Sequence, residues 1–160
     1  MAVTNLALQK LMFFAHGQHM LTDGRPLVNG YFEAWRYGPV HPLVYQAFKE
    51  TGDAPIRKRA TAFNFLTGEE KPIPTADDQQ AVDVLDRILS SLGRLSVGRL
   101  IEISHAARGP WAETVNRSGT ESVLGVRISD RIILERFRFL MVPVQDSAPA
   151  GDPREDSPLT

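Results

Sequence analysis

Residues 6–21 read LALQKLMFFAHGQHML, and this stretch decides the fold of the chain. One apolar face has the i, i+3, i+4, i+7 spacing of a helix and consists of Leu8, Leu11, Met12 and Ala15. Other apolar side chains fall off that face, namely Leu6, Phe13, Phe14 and Met20. A helix that is apolar on most sides packs in the middle of a core. The sequence therefore predicts a central buried helix, with other segments packed on at least two of its faces.

Glycine and proline divide the next part of the chain into short elements. Residues 31–36 are rich in aromatic side chains and predict a short strand, which Gly38-Pro39 breaks. Pro42 fits the first position of a helix that is predicted to end at Gly52. That helix has one apolar face, made of Leu43, Val44, Ala47 and Phe48.

Residues 60–74 predict a β-hairpin. Thr61, Phe63 and Phe65 alternate with smaller or polar residues, as in a half-buried strand. Thr67-Gly68 can turn the chain into a second strand over residues 70–73.

The remainder of the folded region predicts helices. Thr75 is the predicted N-cap of one, with Asp77 and Asp78 in its first turn. Ser96 caps another, and Trp111 opens a short helical turn. The buried stripe expected on the first of these helices is Val82, Leu85, Ile88, Leu89 and Leu92. A last helix, capped by Ser129, is expected to bury Ile132, Ile133, Phe137, Leu140 and Met141.

The predicted fold class is mainly α: a single-domain helical bundle over residues 1–142 with one or two small β elements. From residue 143 onward the chain has four prolines, several acidic residues and few large apolar side chains. Such a composition cannot bury enough surface to order itself. We therefore predict a disordered acidic tail over residues 143–160.

The composition is that of an ordinary globular domain, 42% hydrophobic and 23% charged, with a net charge of −1. The absence of cysteine excludes disulfides and thiolate metal sites. The N-terminus lacks the features of a signal peptide, and no apolar run reaches the roughly 18–20 residues of a membrane span. We therefore expect a cytoplasmic protein without a membrane partner.

Four histidines raise the question of a metal site. His16 and His19 lie three residues apart on the first helix, and His41 and His105 could complete a set. Their spacing is not that of a zincin, so structural or solvent-facing histidines are favoured and no metal or other cofactor is expected. The chain also lacks a Gly-x-Ser-x-Gly elbow and a phosphate-binding loop, so we do not expect an enzyme.

The aromatic residues Trp35, Tyr37 and Trp111 lie beside tight turns. They are either core residues or parts of a recognition surface, because Trp, Tyr and Arg dominate interface energetics and Arg36 lies between two of them. His105 ends a helix, where a histidine can hydrogen-bond the free carbonyls. A structural role at the helix end is therefore an alternative to contact with a ligand.

Several short motifs occur in order along the chain: Leu8-Gln9-Lys10-Leu11, Phe14-Ala15, His19, Glu33-Ala34-Trp35, Tyr37-Gly38-Pro39-Val40, Ser104-His105 and Pro110-Trp111. Together they resemble the Panacea domain family, over residues 6–141. The resemblance implies that the turn regions around Gly38-Pro39 and Gly109-Pro110 are neighbours in the fold. It also implies a set of candidate interaction residues: Trp35, Arg36, Tyr37, Gly38, Pro39, His105, Pro110 and Trp111.

Within that family the chain looks closest to the SocA-like type, a stand-alone antitoxin of a toxin–antitoxin system. The resemblance implies a cognate protein toxin as partner and a role as proteolytic adaptor for an AAA+ protease of the ClpXP type. Alternatives are direct masking of the toxin and a phage-associated anti-defence protein. A DNA-binding autoregulator ranks lower, because no predicted helix clusters Arg and Lys. The basic run 57–59 is more typical of a solvated edge than of a nucleic-acid contact.

Overall fold

The computed structural model describes residues 2–119 and 125–140, and the predicted tail over residues 143–160 lies outside them, as does Met141. Its helices are α1 (Asn5–Asp23), α2 (Pro42–Phe48), α3 (Gln79–Leu92), α4 (Val97–Ser104), α5 (Pro110–Ser118) and α6 (Asp130–Arg136). Its strands are β1 (Phe32–Trp35), β2 (Gly38–Val40), β3 (Thr61–Asn64), β4 (Glu69–Pro72) and β5 (Val126–Ile128). The prediction of a mainly helical protein with small β elements is confirmed.

Helix α1 is the central element, as its apolar surface predicts. The Thr4 side chain accepts a hydrogen bond from the Ala7 N–H and starts the helix, and Gly24 ends it in the left-handed conformation. Helices α2, α3, α4 and α6 and strand β2 all contact α1. Its buried aromatic rings Phe13 and Phe14 pack in the core with Phe32 and Phe137. None of the described helices has both the length and the apolar character needed to cross a membrane.

A three-stranded antiparallel sheet in the order β2-β1-β5 lies against α1. Two strands of this sheet were missed in the sequence analysis. Gly38-Pro39 breaks the first strand but also begins a second one, with Gly38 opposite Trp35. Strand β5 was not predicted, because three residues are too few to show an alternating pattern. Its Ile128 lies opposite Phe32 and is fully buried.

Two polar residues of α1 close the outer edge of β2. Gln9 and Lys10 are fully buried despite their polarity. The Gln9 Oε1 accepts a hydrogen bond from the His41 N–H at 2.8 Å, and the Lys10 Nζ donates to the Pro39 carbonyl at 2.7 Å. The polar interruptions of the apolar helix therefore satisfy backbone groups that the sheet leaves unpaired.

Helix α2 is shorter than predicted and does not bury its apolar face. It ends at Phe48, and one turn of 3₁₀ helix carries the chain to Thr51. No residue of α2 is buried, and Leu43 is 74% exposed. Of the apolar face, Val44 and Phe48 are half-buried, whereas Leu43 and Ala47 are exposed.

The predicted hairpin is confirmed as β3 and β4, which pair from Thr61 opposite Pro72 to Asn64 opposite Glu69. The predicted half-burial is wrong: every residue of both strands is exposed. Phe63 and Phe65 contact each other, at 5.0 Å between ring centres. Alternation predicts two distinct faces of a strand but not that a partner layer covers one of them.

Helix α3 begins at Gln79, four residues after the predicted cap. Asp78 is the actual N-cap, and its side chain accepts hydrogen bonds from the backbone of Gln80 and Ala81. The buried stripe is therefore Ala81, Val84, Ile88 and Leu92. Leu89 faces solvent and Val82 is half-buried, so the predicted stripe is partly wrong.

The later caps agree with the sequence. The Ser96 hydroxyl accepts from the Arg99 N–H, and the Ser129 hydroxyl accepts from the Ile132 N–H. The predicted helical turn at Trp111 is the longer helix α5, which Pro110 opens. Helix α6 buries Ile132 and Ile133, and the 3₁₀ turn that follows it, Phe137–Leu140, buries Phe137 and Leu140, so these four residues are buried as predicted.

Candidate functional site

The two glycine–proline turn regions meet in space. The Trp111 Nε1 donates a hydrogen bond to the Trp35 carbonyl at 2.8 Å. The His105 ring stacks on Trp111, with 3.9 Å between ring centres and 25° between planes. The structure therefore places the turn regions side by side, as the family resemblance implied, and joins them through Trp111.

Gly38 occupies a position that has no room for a side chain. Its φ is +95°, and a Cβ placed there would lie 2.5 Å from the Ser104 Oγ and 3.0 Å from the Lys10 Cε. Ser104 is itself fixed, because its hydroxyl donates to the Ile101 carbonyl at 2.7 Å. Strand β2 thus packs directly on the ends of two buried side chains from α1 and α4.

Lys10 and His105 are titratable groups beneath this junction. Burial lowers the pKa of Lys10 to about 7. Burial, and next the charge of Lys10, lower the pKa of His105 below its usual value. The His105 Nε2 is buried without a hydrogen-bond partner in the described part of the chain. The ring therefore supports Trp111 as a neutral aromatic surface, and it is the backbone N–H of His105 that caps α4.

The solvent-facing part of the site is formed by Arg36 and Tyr37. Tyr37 is 54% exposed, and the Arg36 Cζ lies 5.5 Å from its ring centre. Trp35 beside them is held in place: its ring lies 4.9 Å from that of Tyr45, and its Nε1 donates to the Glu33 Oε2 at 2.7 Å. A fixed aromatic wall therefore adjoins two exposed side chains.

These residues border an open groove of about 410 Å³, which we call the Tyr37 groove. Its floor includes Asn5 and Gln9, whose amides bond each other at 3.0 Å, while the Asn5 Nδ2 also donates to the Tyr45 carbonyl. The full lining is Asn5, Leu6, Gln9, Trp35, Arg36, Tyr37, Val40, Tyr45, Lys49, Gly52 and Asp53. The groove combines aromatic walls with two cationic side chains and one carboxylate, which is the chemistry of a recognition surface.

The structure separates the predicted interaction residues into two groups. Gly38, Pro39 and Pro110 are buried, and Trp35, His105 and Trp111 are half-buried. Of the predicted interaction residues, only Arg36 and Tyr37 are exposed.

Sequence reasoning missed three residues of this region. Tyr45 and Lys49 belong to the groove but lie on α2 and the turn after it, where no local pattern marks them. Lys10 could have been identified from the sequence, because a lysine in an otherwise apolar buried helix needs a specific hydrogen-bond partner.

Three of the four histidines fasten one loop to the core. The His16 Nδ1 accepts from the Val28 N–H at 3.3 Å, the His19 Nδ1 contacts the Arg25 carbonyl at 2.7 Å, and the His41 Nε2 contacts the Asn29 carbonyl at 2.8 Å. Within the described ranges, no three His, Asp or Glu side chains are grouped to hold a metal ion. These three histidines therefore hold residues 25–29 in place.

Gly38→Ala is expected to lower the free energy of unfolding by about 2–5 kcal/mol, from left-handed backbone strain plus overpacking. Gly24→Ala is the matched control, since its φ is +71° but a Cβ there meets nothing within 4 Å. It is expected to cost only the strain, about 1–2 kcal/mol. Urea denaturation of both variants measures the difference. Equal losses would show that the contact with Ser104 and Lys10 is unimportant.

Comparison with known proteins agrees with this arrangement. The family model described as "Antitoxin SocA-like, Panacea domain" matches residues 8–112, which include both turn regions. Antitoxin SocA of Caulobacter vibrioides (strain NA1000 / CB15N) is 44% identical over 156 residues, which cover 98% of this chain and 83% of that protein. No solved structure matches the chain. On these matches, the chain belongs to the SocA-like family of Panacea domain proteins.

Proposed function

We propose that this protein is an antitoxin that binds a cognate protein toxin and delivers it to an AAA+ protease of the ClpXP type. The observation that carries the antitoxin role is the 44% identity to an antitoxin along nearly the whole chain. The match covers 98% of the chain and is therefore not confined to one segment of it. The delivery step rests on the SocA-like resemblance and is the part that the degradation experiment below tests.

We assign toxin binding to the Tyr37 groove. Tyr, Trp and Arg are the residue types most enriched among interface hot spots, and Trp35, Arg36 and Tyr37 supply all three. Trp35 is already ordered by the hydrogen bonds of its indole N–H and its carbonyl, so little conformational entropy is lost when a partner packs against it. A rigid aromatic wall next to exposed Arg36 and Tyr37 therefore suits tight protein recognition.

Tyr37→Ala is expected to weaken toxin binding by about 2 kcal/mol, or roughly thirtyfold in Kd, without lowering thermal stability. The toxin is identified first, as the product of a small adjacent reading frame that is toxic alone and harmless when co-expressed. Titration calorimetry then measures Kd for the parent, for Tyr37→Ala and for Phe65→Ala. Phe65 is the control, since it is 90% exposed but lies at the β3–β4 hairpin. A larger loss with Phe65→Ala would place the toxin surface on the hairpin instead.

An adaptor of this kind needs no catalytic group. When one protein binds both toxin and protease, capture of the toxin becomes nearly intramolecular, with effective concentrations that reach the millimolar range for short connections. Weak direct recognition of the toxin by the protease is then sufficient for degradation.

Reconstitution with toxin, protease, ATP and this protein tests the delivery step. Toxin is expected to disappear faster when the protein is present, while the protein itself persists. Tyr37→Ala serves as the binding-deficient control and should return the toxin lifetime to that without adaptor. Tight binding with an unchanged or lengthened toxin lifetime would contradict delivery and leave masking as the mechanism.

A further inference from the structure

Three arginines gather around one aromatic ring near the end of the described chain. The Cζ atoms of Arg108, Arg138 and Arg136 lie 4.0, 4.9 and 6.0 Å from the ring centre of Phe139. Arg108 lies in the turn between α4 and α5. Arg136 is the last residue of α6, and Arg138 lies in the 3₁₀ turn that follows α6. We call this group the Phe139 arginine cluster. The fold thus brings like charges from two separate segments to the same place.

The carboxylates that the structure describes neutralise only the Arg136 part of this cluster. Arg136 lies 3.4 Å from the Glu113 Oε2, but the Oε1 of the same carboxylate already accepts from Arg117 at 2.7 Å. Among the described residues, Arg108 and Arg138 have no carboxylate within ion-pair distance, and both are exposed. Stacking on the ring offsets part of the repulsion between these charges. Converging guanidinium groups are suited to bind carboxylates, because each presents a planar fork of N–H donors.

We propose that the cluster is a carboxylate-binding site and that the chain's own acidic segment, residues 141–160, occupies it. The segment follows directly on Leu140 and contains Asp146, Asp152, Glu155 and Asp156 against a single arginine. Its net negative charge complements the cluster. Twenty residues span up to roughly 66 Å when extended, so every one of these carboxylates can reach the three guanidinium groups.

Covalent linkage makes even a weak contact effective. Exposed carboxylate–guanidinium pairs are individually weak, but a tethered segment is present at an effective concentration near the millimolar range. The segment has several carboxylates, so when one leaves the three arginines another can take its place. The segment therefore acts as a built-in occupant that other anionic partners have to displace.

The test uses the full chain with one spin label. The sequence has no cysteine, so Ser157→Cys gives a unique attachment point far along the segment. Relaxation enhancement is read at the backbone amides of Ala107, Arg108 and Gly109. It is expected to be strong in the parent and to fall about threefold or more in Arg108→Gln/Arg138→Gln, which removes two of the charged pairs.

The matched control also removes two positive charges, but at a different place on the surface. Arg57→Gln/Lys58→Gln alters two exposed cations of the basic run and should leave the enhancement at Arg108 unchanged. Neutralising the segment with Asp152→Asn, Glu155→Gln and Asp156→Asn should lower the relaxation enhancement at Arg108 as much as the cluster variant does. Adding these three changes to the cluster variant should lower the enhancement no further. An equal loss in the control, or no loss on neutralising the segment, would overturn the proposal.

A second measurement distinguishes other occupants. A fluorescent polyglutamate peptide is titrated against the parent and against the chain with the neutralised segment. If the segment occupies the cluster, the neutralised chain binds the peptide severalfold more tightly. Equal binding to both would mean that the cluster is open to an acidic partner from another molecule, which would also overturn the proposal.

Discussion

Phe13→Ala is expected to lower the free energy of unfolding by about 3–5 kcal/mol. Phe13 is fully buried, and its ring centre lies 6.2 Å from that of Phe14, 5.1 Å from Phe32 and 6.3 Å from Phe137. It joins α1 to the sheet and to the C-terminal end of the bundle. Truncation leaves a cavity among these three rings, and its cost is large because a packed core relaxes only partially into such a space.

Such a loss is a large part of the roughly 5–15 kcal/mol that stabilises a typical domain. Leu21→Ala is the matched control on the same helix, because Leu21 is 44% exposed, and it is expected to cost less than about 1 kcal/mol. Denaturant unfolding followed by circular dichroism measures both. Similar losses for the two variants would mean that α1 is not the centre of the core.

The second large effect is a rise in stability between pH 7 and pH 10, caused by Lys10. Burial lowers the pKa of Lys10 to about 7 in the folded state, whereas the unfolded value is about 10.4. Between these values the unfolded chain holds a proton that the folded chain has released, so unfolding becomes less favourable as the pH rises. The expected slope is up to about 1.4 kcal/mol per pH unit, and it ends above pH 10.

Lys10→Met separates this effect from the other titrating groups. The variant loses the hydrogen bond to the Pro39 carbonyl but no longer buries an amine, so its absolute stability is not the diagnostic quantity. Its stability should instead be nearly flat from pH 7 to pH 10. Chemical denaturation at several pH values measures the slope. A variant that keeps the slope of the parent would show that another group causes it.

His16 has its effect at lower pH. Burial, as the largest cause, lowers its pKa to about 4 from an unfolded value of about 6.5. The neutral ring accepts the Val28 N–H, so stability is fully present above pH 6.5 and is lost as the pH falls toward 4. The two pH ranges do not overlap, so the Lys10 and His16 effects are read separately in one titration.

The parts of the fold that were predicted correctly have strong local causes. Helix α1 follows from sustained apolar spacing, and the caps at Ser96 and Ser129 follow from side chains that bond the first free N–H groups. Helix α3 shows where this reasoning fails. Thr75 and Asp78 are both good cap residues, and local sequence does not decide between them; the helix that forms is capped by Asp78 and buries Ala81 and Val84.

Exposure was less predictable than secondary structure. The apolar residues of α2 and of the β3–β4 hairpin have patterns that are typical of half-buried elements, yet Leu43 and Phe65 are exposed. Whether a face is covered depends on which distant segment lies over it, and local spacing does not contain that information.

The candidate site was found through ordered motifs rather than through chemistry. Most motif residues are buried or half-buried, and Gly38 is needed because Ser104 and Lys10 leave no room for a side chain. The exposed residues that define the groove, Arg36 and Tyr37, lie next to these residues. Tyr45 and Lys49 could not be predicted, because they reach the groove only through the docking of α2.

The hydrogen bonds that join Gln9 to the His41 N–H and Lys10 to the Pro39 carbonyl, at the outer side and the end of β2, have a further consequence for the protein in solution. An open strand edge is a template on which another chain can add a strand, which leads to domain swapping or aggregation. Here the His41 N–H and the Pro39 carbonyl are already paired with side chains of the protein's own central helix. The Tyr37 groove can therefore stay open beside the sheet while the adjoining backbone resists pairing with other molecules. An intruding strand would first have to displace a buried amide and a buried amine.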